Sequence, residues 1–246
     1  MIWQGASTSE WAEAWAVPRV EAYARIGSTN DRALELASMG AHPFAVVVAD
    51  EQTEGRGRRG AHWHSPPGSG LWMSVVLPGD RAVPHASLLV GLATAEAIEA
   101  VAAGVRVGIK WPNDLMIRGG KVGGILCEST GAALVAGIGI NLRALGTSPA
   151  LALAYRATSL EAESGMSLSV SDLAGAIVRR LKARPLAWDT AAAAELATRD
   201  ALLGAQVETE EHGRGVARGI DPSGALVLER PDGSRVAVVA GSVRAV

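Results

Sequence analysis

Arginine and glycine alternate in the short run from Gly55 to Gly60, which reads GRGRRG. Glycines permit left-handed backbone conformations and let a backbone approach a ligand closely. The arginines at 56, 58 and 59 supply forked donors that match carboxylate and phosphate oxygens. We interpret the run as a mobile loop that binds an anion. The alternative is a solvated basic loop that binds nothing, or binds RNA.

The same run matches the pattern G-x-G-x-x-G of dinucleotide-binding sites. That fingerprint requires a helix directly after its glycines. Here residues 61–68 read AHWHSPPG, which cannot begin a helix. We therefore reject a nicotinamide or flavin site. The P-loop pattern G-x-x-x-x-G-K-[ST] does not occur in the sequence either.

Two lysines, Lys110 and Lys121, stand eleven residues apart on neighbouring predicted strands. Each is close to a tight turn. Lys121 lies between glycine pairs, where a catalytic lysine would meet a ligand with little steric interference. The alternative is two ordinary surface lysines on hairpins.

A third segment, residues 136–142 (AGIGINL), places glycines inside an apolar strand. Glycines weaken a strand unless a ligand or another backbone must approach closely. Asn141 at the strand end could then contact a base edge or a ribose. The alternative is a buried strand with a bulge.

Histidine and cysteine do not form a metal-binding pattern in this sequence. The spacing His62-x-His64 has no cysteine or carboxylate nearby, so we expect no metal site. A Ser-His-Asp arrangement with a nucleophile elbow is not recognisable. The single cysteine, Cys127, excludes an intrachain disulfide, and its apolar neighbours predict a buried position on a strand.

Composition limits the classes of function. The chain has 246 residues and a formal net charge of −2, which offers no general electrostatic footprint for nucleic acid. The N-terminus has neither a basic nor an apolar region, so we expect no signal peptide. Apolar runs of about 18 residues without a charge or a breaker are missing, so we expect no membrane span and a cytoplasmic protein.

The elements that must position these residues alternate between helices and strands. Trp11 and Trp15 share one face of a helical lead-in over residues 1–20, and N-cap residues at 28–30 predict a helix that ends at Gly40. This pattern predicts an α+β fold with a mixed β-sheet flanked by helices. Further helices are predicted over 87–101, 171–184 and 189–202, and strands over 45–49, 71–77, 105–111, 115–118, 121–128 and 132–141.

A change in composition near Leu203 predicts two domains, residues 1–202 and residues 203–246. The second part contains short β-type segments separated by turns at 221–224 and 231–234. We predict a small β-barrel appended to a larger main domain.

Taken in order, these segments resemble the biotin protein ligase family. Any one motif is weak, whereas six in series are specific, and the resemblance runs from about residue 22 to the end. The matching motifs are GSTN at 27–30, EQTEGRGRRG at 51–60, WHSP at 63–66, KWPNDL at 110–115, KVGGIL at 121–126 and GIGIN at 137–141. RGID at 218–221 and GAL at 224–226 resemble the family's SH3-like C-terminal barrel.

The resemblance implies a class II synthetase-like (biotin–lipoate ligase) fold and two half-reactions. Biotin and MgATP give biotinyl-5′-adenylate and pyrophosphate, and a lysine of a biotin carboxyl carrier domain then takes the biotinyl group. Biotin is thus the substrate, ATP with Mg²⁺ the co-substrate, and the carrier domain of a biotin-dependent carboxylase the partner. Nucleic acid and membrane are not expected partners.

The resemblance also implies roles for particular residues. Lys121 and Arg58 become the catalytic candidates, and no residue is assigned to a metal. The residues expected to bind biotin are Ser28, Thr29, Asn30, Gln52, Gly55, Arg56, Gly57, Arg58 and Lys121, with Ser28 and Gln52 on the ureido ring. Those expected to bind ATP or the adenylate are Arg58, Asn113, Lys121 and Asn141.

Two features depart from the family pattern. Some relatives carry a winged-helix domain before this core, whereas only about 20 residues precede it here. The form without a DNA-binding domain is therefore implied, and transcriptional repression is not expected. Some relatives also stack a tryptophan on adenine near the stretch that corresponds to residues 153–160, which holds no tryptophan in this sequence.

Other functions stay open on the sequence alone. A lipoate–protein ligase or octanoyltransferase shares the architecture, but the polar set at 28–30 with Gln52 suits a ureido ring, which a lipoyl chain lacks. A non-catalytic biotin-binding or carrier-docking protein would not need Arg56, Arg58 and Lys121 together. An RNA-binding protein is opposed by the net charge and by the missing aromatic motifs.

Overall fold

The N-terminal segment packs against one edge of the main sheet. The computed structural model describes residues 1–78, 85–129, 133–144 and 156–246. It begins with the hairpin strands β1 (Ile2–Trp3) and β2 (Ala6–Ser7), followed by helix α1 (Thr8–Ala14). Trp11 and Trp15 stack with 5.5 Å between ring centroids, as their shared helical face predicted. The hairpin takes the place of the first part of the expected helical lead-in.

Seven strands form one mixed sheet in the spatial order β3-β4-β5-β9-β8-β7-β6. Strands β3 and β4 pair in parallel, and the other neighbours pair antiparallel. The predicted mixed sheet is therefore confirmed. The strands are β3 (Val20–Ile26), β4 (Val46–Gln52), β5 (Gly70–Leu77), β6 (Gly108–Lys110), β7 (Asp114–Ile117), β8 (Gly120–Ser129) and β9 (Leu134–Asn141).

Helices cover both faces of this sheet. They are α2 (Thr29–Ser38), α3 (Ala86–Val101), α4 (Leu160–Ser164), α5 (Val170–Ala183) and α6 (Thr190–Ala197). Helix α2 packs on one face, and α3 and α5 pack on the other, so alternate residues of β4 enter two different cores. Val46 and Val48 lie in one core and Val47 in the other, which explains the continuous apolar run over residues 45–49. In the described ranges, the helices lack the length and apolar content needed to cross a membrane.

The helix predicted over residues 189–202 is shorter than expected. Helix α6 ends at Ala197, and residues 199–201 run beside β6 instead. The Ile109 N–H donates to the Arg199 carbonyl at 2.7 Å, and the Ala201 N–H donates to the Ile109 carbonyl at 3.1 Å. Arg199 also forms an ion pair with Glu99 at 2.6 Å. These long-range contacts outweigh the local helix propensity.

Cys127 lies on β8, as predicted, but it is only partly buried against the main core. Burial raises the pKa of its thiol to about 12. A thiol with so high a pKa is a poor nucleophile at neutral pH.

The chain ends in a five-stranded antiparallel sheet of SH3-like type, with the order β13-β12-β11-β10-β14. The Asp221 carboxylate accepts the Ser223 N–H at 2.7 Å, and the Asp232 carboxylate accepts the Ser234 N–H at 2.9 Å, so both predicted turns are confirmed. The strands are β10 (Gln206–Thr209), β11 (Gly213–Ile220), β12 (Leu226–Glu229), β13 (Arg235–Val238) and β14 (Val243–Ala245).

Candidate active site

A cavity of about 360 Å³ lies where several strands of the main sheet end beneath the loop over residues 55–64. Residues 242–243, at the start of β14, also line it. The structure brings almost all of the predicted site residues to this one cavity. Those that line it are Ser28, Thr29, Asn30, Gln52, Arg56, Gly57, Arg58, Asn113, Lys121 and Asn141.

Gly55 is the predicted site residue that lies behind the cavity wall. A Cβ atom there would lie 2.5 Å from the Trp63 carbonyl oxygen and 2.8 Å from the Ser65 hydroxyl. The Trp63 N–H donates to the Gly55 carbonyl at 2.8 Å, which ties the two arms of the loop together. Glycine is required here because the loop approaches its own backbone closely.

Polar side chains from α2, β4 and β5 form a buried network beside the cavity. Gln52, the last residue of β4, accepts hydrogen bonds at Oε1 from the Thr29 N–H (2.9 Å) and the Thr29 hydroxyl (3.0 Å). Its Nε2 donates to the Ser65 hydroxyl at 2.9 Å. On β5, the Ser74 hydroxyl lies 2.8 Å from Thr29 Oγ1 and 2.6 Å from Asn30 Oδ1. The network fixes the first turn of α2 against the sheet.

Asn30 is held at both ends of its amide. Its Nδ2 donates to the Glu128 carboxylate at 2.6 Å, and its Oδ1 accepts from Ser74. A Cβ atom at Gly137 would lie 2.4 Å from Asn30 Oδ1, so the glycine on β9 makes room for this amide. Asn30 therefore supports the cavity wall as well as lining it.

Ser28 stands at the N-cap position of α2 and is buried. Within the described residues, its hydroxyl makes no capping hydrogen bond to the helix. Ser7 and Ser159, by contrast, cap α1 and α4 with their side chains. Since an N-cap serine usually accepts a hydrogen bond from the first turn, the Ser28 hydroxyl is left for another partner in the cavity it lines.

Arg56 connects the loop to α2. It forms an ion pair with Asp31 in the first turn of the helix and lies 3.8 Å from the Glu128 carboxylate. The Asp31 carboxylate raises the pKa of Arg56, although partial burial opposes this effect. The guanidinium is thus anchored next to the polar network.

Arg58 and Arg59 connect the loop to the C-terminal sheet. Arg58 Nη1 donates to the Gly241 carbonyl at 3.0 Å. Burial lowers the pKa of the Arg58 guanidinium, and the nearby Asp114 carboxylate acts in the opposite direction. Arg59 forms an ion pair with Glu210. The loop therefore spans the cavity from α2 to the C-terminal sheet.

Asp114 links the two lysines of the candidate site. Its Oδ2 lies 2.9 Å from Lys110 Nζ, and its Oδ1 lies 2.6 Å from Lys121 Nζ. Burial alone would raise the pKa of the Asp114 carboxyl, but the two lysines outweigh it and hold the pKa below its usual range. Because the Lys110 side chain is 7% exposed and that of Lys121 is 20% exposed, neither is an ordinary surface lysine.

Two asparagines complete the predicted set. Asn113 Nδ2 donates to the Ile125 carbonyl at 2.8 Å and so fixes the turn between β6 and β7. Asn141 Nδ2 donates to the Thr158 carbonyl at 3.1 Å, while its buried Oδ1 has no hydrogen-bond partner among the described residues. An unpaired buried acceptor is costly, so this oxygen marks a position for an N–H of a ligand.

Trp63 lines the cavity, but the WHSP motif that contains it was given no role from the sequence. Its ring lies against the sheet, where a Cβ atom at Gly139 would be 2.6 Å from the indole. Lys121 Nζ lies 5.2 Å from the ring centroid, within range of a cation–π contact. The buried indole Nε1 has no partner within the described part of the chain. The sequence did contain a signal for this position. A tryptophan next to the arginine-rich run, together with glycines inside strands, indicates a large ring packed on the sheet.

The glycines of β9 thus make room for two protein side chains, Asn30 at Gly137 and Trp63 at Gly139. The register of β5 and β9 is unbroken from the Gly70–Asn141 pair to the Leu77–Leu134 pair, so the alternative of a bulged strand is wrong. These glycines line the cavity themselves and also make room for Asn30 and Trp63, which line it beside them.

Of the stretch 153–160, residues 153–155 with Tyr155 lie outside the described residues. The remainder runs beside Lys121, whose N–H donates to the Arg156 carbonyl at 2.8 Å and whose carbonyl accepts the Thr158 N–H at 2.9 Å. Ala157 lines the cavity. The aromatic ring of Trp63 reaches the cavity from the loop over residues 55–64 and not from the stretch 153–160.

The arrangement combines three chemical capacities. The polar network at α2 can hold an uncharged polar group, and the cationic side chains can stabilise negative charge on carboxylate or phosphate oxygens. Asn141 and Trp63 can hold an aromatic group that also forms hydrogen bonds. In the described ranges, His, Cys, Asp and Glu side chains form no group of three or more that could hold a metal ion.

Residues 22–144 match the family described as Biotin/lipoate A/B protein ligase, and residues 205–244 match the Biotin protein ligase C terminal domain. The Biotin–[acetyl-CoA-carboxylase] ligase of Paracoccus denitrificans is 37% identical over 233 residues, which cover 87% of this chain and 95% of that protein. The Bifunctional ligase/repressor of Bacillus spizizenii is 42% identical over 160 residues, or 62% of this chain. That match covers 48% of the relative, so the chain spans about half of its length.

Among solved structures, the biotin protein ligase from Aquifex aeolicus in complex with biotin and ATP is similar to this chain, with a TM-score of 0.79. The sequences are 25% identical, and the match covers 92% of this chain and 99% of the other. The matched regions include every motif from GSTN to GIGIN, and the fold agrees over nearly the whole chain. The chain belongs to the Biotin/lipoate A/B protein ligase family.

Proposed function

We propose that this chain activates biotin with ATP to biotinyl-5′-AMP and transfers the biotinyl group to a lysine of a biotin carboxyl carrier domain. One observation carries the proposal: a single cavity joins the polar network at the start of α2 to the Lys110–Asp114–Lys121 centre. A neutral head group and a reacting carboxylate can therefore be held at the same time. The relative from Paracoccus denitrificans, named as a biotin–[acetyl-CoA-carboxylase] ligase, supports the same activity.

The ureido head of biotin would contact the polar network. It needs both donors and acceptors. Ser28 offers a hydroxyl, and Gln52 Nε2, which gives one of its two hydrogens to Ser65, offers the other, while Thr29 holds the Gln52 carbonyl in place. We assign Ser28 to direct contact because its hydroxyl is not used in capping. Asn30 would act by holding the wall, since its amide is already bonded to Glu128 and Ser74.

The reacting carboxylate would lie at Lys121 and Arg58. In activation, a biotin carboxylate oxygen attacks the α-phosphorus of ATP, and pyrophosphate leaves. In transfer, the neutral amine of the carrier lysine attacks the acyl carbon, AMP leaves, and the amine gives up a proton. Both steps gather negative charge on oxygen, which fixed cations stabilise. Asp114 would hold the Lys121 ammonium in place for both steps.

The adenine ring would lie near Asn141 and Trp63. Among the residues that the structure describes, none donates to the buried Asn141 Oδ1, and an exocyclic amino group supplies a donor. Trp63 offers an aromatic ring beside Lys121. Asn113 would contribute through the position of its turn, because its amide is bonded to Ile125. Mg²⁺ would arrive bound to the phosphates of ATP, as is usual for this small cation.

The alternative of a lipoate–protein ligase or octanoyltransferase is disfavoured by the same network. A lipoyl or octanoyl chain has no polar head to pair with the Ser28 hydroxyl or the second Nε2 hydrogen of Gln52, and unpaired buried polar groups cost binding free energy. We further propose a catalytic domain over residues 1–202, an SH3-like domain over residues 203–246, and a cytoplasmic location, which ATP use and a lone free cysteine favour.

The test is biotin-dependent exchange of labelled pyrophosphate into ATP, with lipoate and octanoate as controls. We expect exchange with biotin and none with the other two acids. A second arm incubates the protein with biotin, ATP and a carrier domain, and checks by mass spectrometry for one biotinyl group on lysine. Exchange that depends on lipoate and not on biotin would contradict the proposal.

A further inference from the structure

The glycine- and arginine-rich loop reaches the C-terminal sheet through two consecutive arginines. Arg58 donates to the Gly241 carbonyl at 3.0 Å, and Arg59 pairs with Glu210. The Ser242 hydroxyl donates to the second oxygen of the Glu210 carboxylate at 2.9 Å. Glu210 therefore stands between the loop and the segment that leads into β14.

Both partners of this contact come from turns with defined backbones. Arg59 adopts a left-handed conformation (φ 58°), which lets the loop fold back on itself, and the Gly57 N–H donates to the Ala61 carbonyl at 2.6 Å. Glu210 follows β10, where the Thr209 hydroxyl accepts the His212 N–H at 3.1 Å and lies 3.2 Å from the Gly213 carbonyl. The ion pair thus joins two structured turns, one in the loop and one in the C-terminal sheet.

This inference rests on the proposed function. If that function holds, the contact between Arg59 and Glu210 protects the reaction intermediate. A mixed anhydride of biotin and AMP is hydrolysed when water reaches it, so a cover must stay closed between the two half-reactions. The loop is that cover, because Arg56, Gly57 and Arg58 line the cavity from above the sheet. We infer that Glu210 is a positioning residue, which acts through Arg59 to hold the loop closed and so retains the acyl-adenylate.

The size of the effect follows from exposure. Both side chains of the pair are 58% exposed, and exposed ion pairs contribute little to stability. Removing this one should therefore raise the ratio of open to closed loop about two- to fivefold. The chemical step should be nearly unaffected, because Glu210 does not touch the reacting groups. If Glu210 only positions the loop, its removal should speed release of the acyl-adenylate and leave the rate of the chemical step nearly unchanged. A catalytic residue would change the rate of the chemical step.

The experiment compares Glu210→Gln with Glu229→Gln. Glu229 lies on the same sheet and also pairs with arginines, Arg218 and Arg235, but these are not in the loop. In ligand-free protein, amide exchange over residues 55–62 should be about two- to fivefold faster in Glu210→Gln and unchanged in Glu229→Gln. Labelled biotinyl-5′-AMP should leave Glu210→Gln faster by the same factor. The double variant Arg59→Glu with Glu210→Arg should restore both rates.

Three results would overturn the inference: loop exchange equal to the parent protein, faster exchange spread over the C-terminal sheet and not the loop, or failure of the charge swap to restore the rates. The exchange arm needs no ligand. If the parent protein forms no biotinyl-5′-AMP, the proposed function fails, while the contact between loop and sheet is still tested.

Discussion

Asp114 determines where the two lysines of the cavity stand before any ligand binds. Each carboxylate oxygen is within 2.9 Å of one ammonium group, and the Lys121 ammonium also lies near the Trp63 ring. A cation held in this way needs little reorganisation when charge develops on a ligand, which is the condition under which electrostatic catalysis is most effective.

Lys121→Ala should slow both half-reactions. Removing one donor that stabilises developing charge typically costs about 10²–10³ in rate. Pyrophosphate exchange measures activation, and transfer from pre-made biotinyl-5′-AMP measures the second step alone. Lys182→Ala is the matched control, because Lys182 is exposed and bonds to the Ala16 carbonyl far from the cavity. Normal transfer from the pre-made adenylate would restrict Lys121 to activation.

At the scale of single residues, motif spacing predicted which polar residues gather but not what each one contacts. Ser28, Arg58 and Lys121 line one cavity, as expected. Gly137 and Gly139 were expected to allow close approach of a ligand or a backbone; they line the cavity, and the groups packed against them are the side chains of Asn30 and Trp63. Those partners are more than 70 positions away, and a strand pattern holds no information on a side chain so remote in sequence.

At the scale of elements, the unit β3–α2–β4 builds the polar end of the cavity. The parallel pairing sets Ile26 beside Gln52, so the ends of both strands meet at one edge of the sheet. Ser28 stands two residues after the end of β3, and the first turn of α2 then faces Gln52. The short connections before and after α2 therefore bring Ser28 and Gln52, which are 24 positions apart, to the same place.

Glu21 on β3 and Arg32 on α2 hold this unit together, with Nε to Oε2 at 2.7 Å. The Arg32 hydrogen bonds lower the pKa of Glu21 from 4.5 to about 2, although burial opposes them. A lowered carboxyl pKa stabilises the fold above the unfolded-state value, and this stability is lost as the pH falls through the folded-state value.

Glu21→Gln should therefore be less stable than the parent protein at pH 7, by about 1–3 kcal/mol. The difference should shrink as the pH falls from 4.5 toward about 2, and vanish below it. Urea denaturation at several pH values measures it. Glu35→Gln, which removes an exposed partner of the same arginine, should have a smaller effect. A difference that does not depend on pH would rule out this ion pair as the cause.

Most helices and strands were predictable because the periodicity of their apolar residues is local. The end of α6 was not, because contacts with a distant strand determine it. Its sequence continues to favour a helix after Ala197, but Arg199 and Ala201 bond to β6. Helix propensity amounts to a few tenths of a kcal/mol per residue, roughly, and two strand-like hydrogen bonds with a buried ion pair exceed it.

At the scale of the whole molecule, indole N–H groups of the main domain bond to turns of the C-terminal sheet. Trp111 Nε1 donates to the Gly224 carbonyl at 3.0 Å, and Trp188 Nε1 donates to the Pro222 carbonyl at 2.8 Å. Trp111 belongs to the motif that carries Asn113 and Asp114. The motif therefore serves both the cavity and the attachment of the sheet.

Trp111→Phe should destabilise the protein by about 2–4 kcal/mol, because it removes the donor of a buried carbonyl and leaves a void. Trp188→Phe loses the same type of bond at an exposed position and should cost less. Chemical denaturation compares the two variants. Equal losses would show that burial of the Trp111 bond contributes nothing.

The two-part organisation was predictable from composition, but the contacts between the parts were not. Trp111 and Gly224 are 113 positions apart, and nothing local links them. The same holds for residues 242–243, which line the cavity although the sequence places them in an appended barrel. Contacts of this kind depend on how the folded main domain and the folded C-terminal sheet pack against each other.

Five of the seven tryptophans, Trp3, Trp11, Trp72, Trp111 and Trp188, donate their indole N–H to an oxygen of the protein. Trp63 lines the cavity, and within the described residues its indole N–H has no acceptor. A bound ligand that provides an acceptor or displaces water changes the polarity around this one fluorophore. The protein therefore contains an intrinsic optical probe, whose emission maximum can report cavity occupancy without a dye and whose signal can be assigned by comparison with Trp63→Phe.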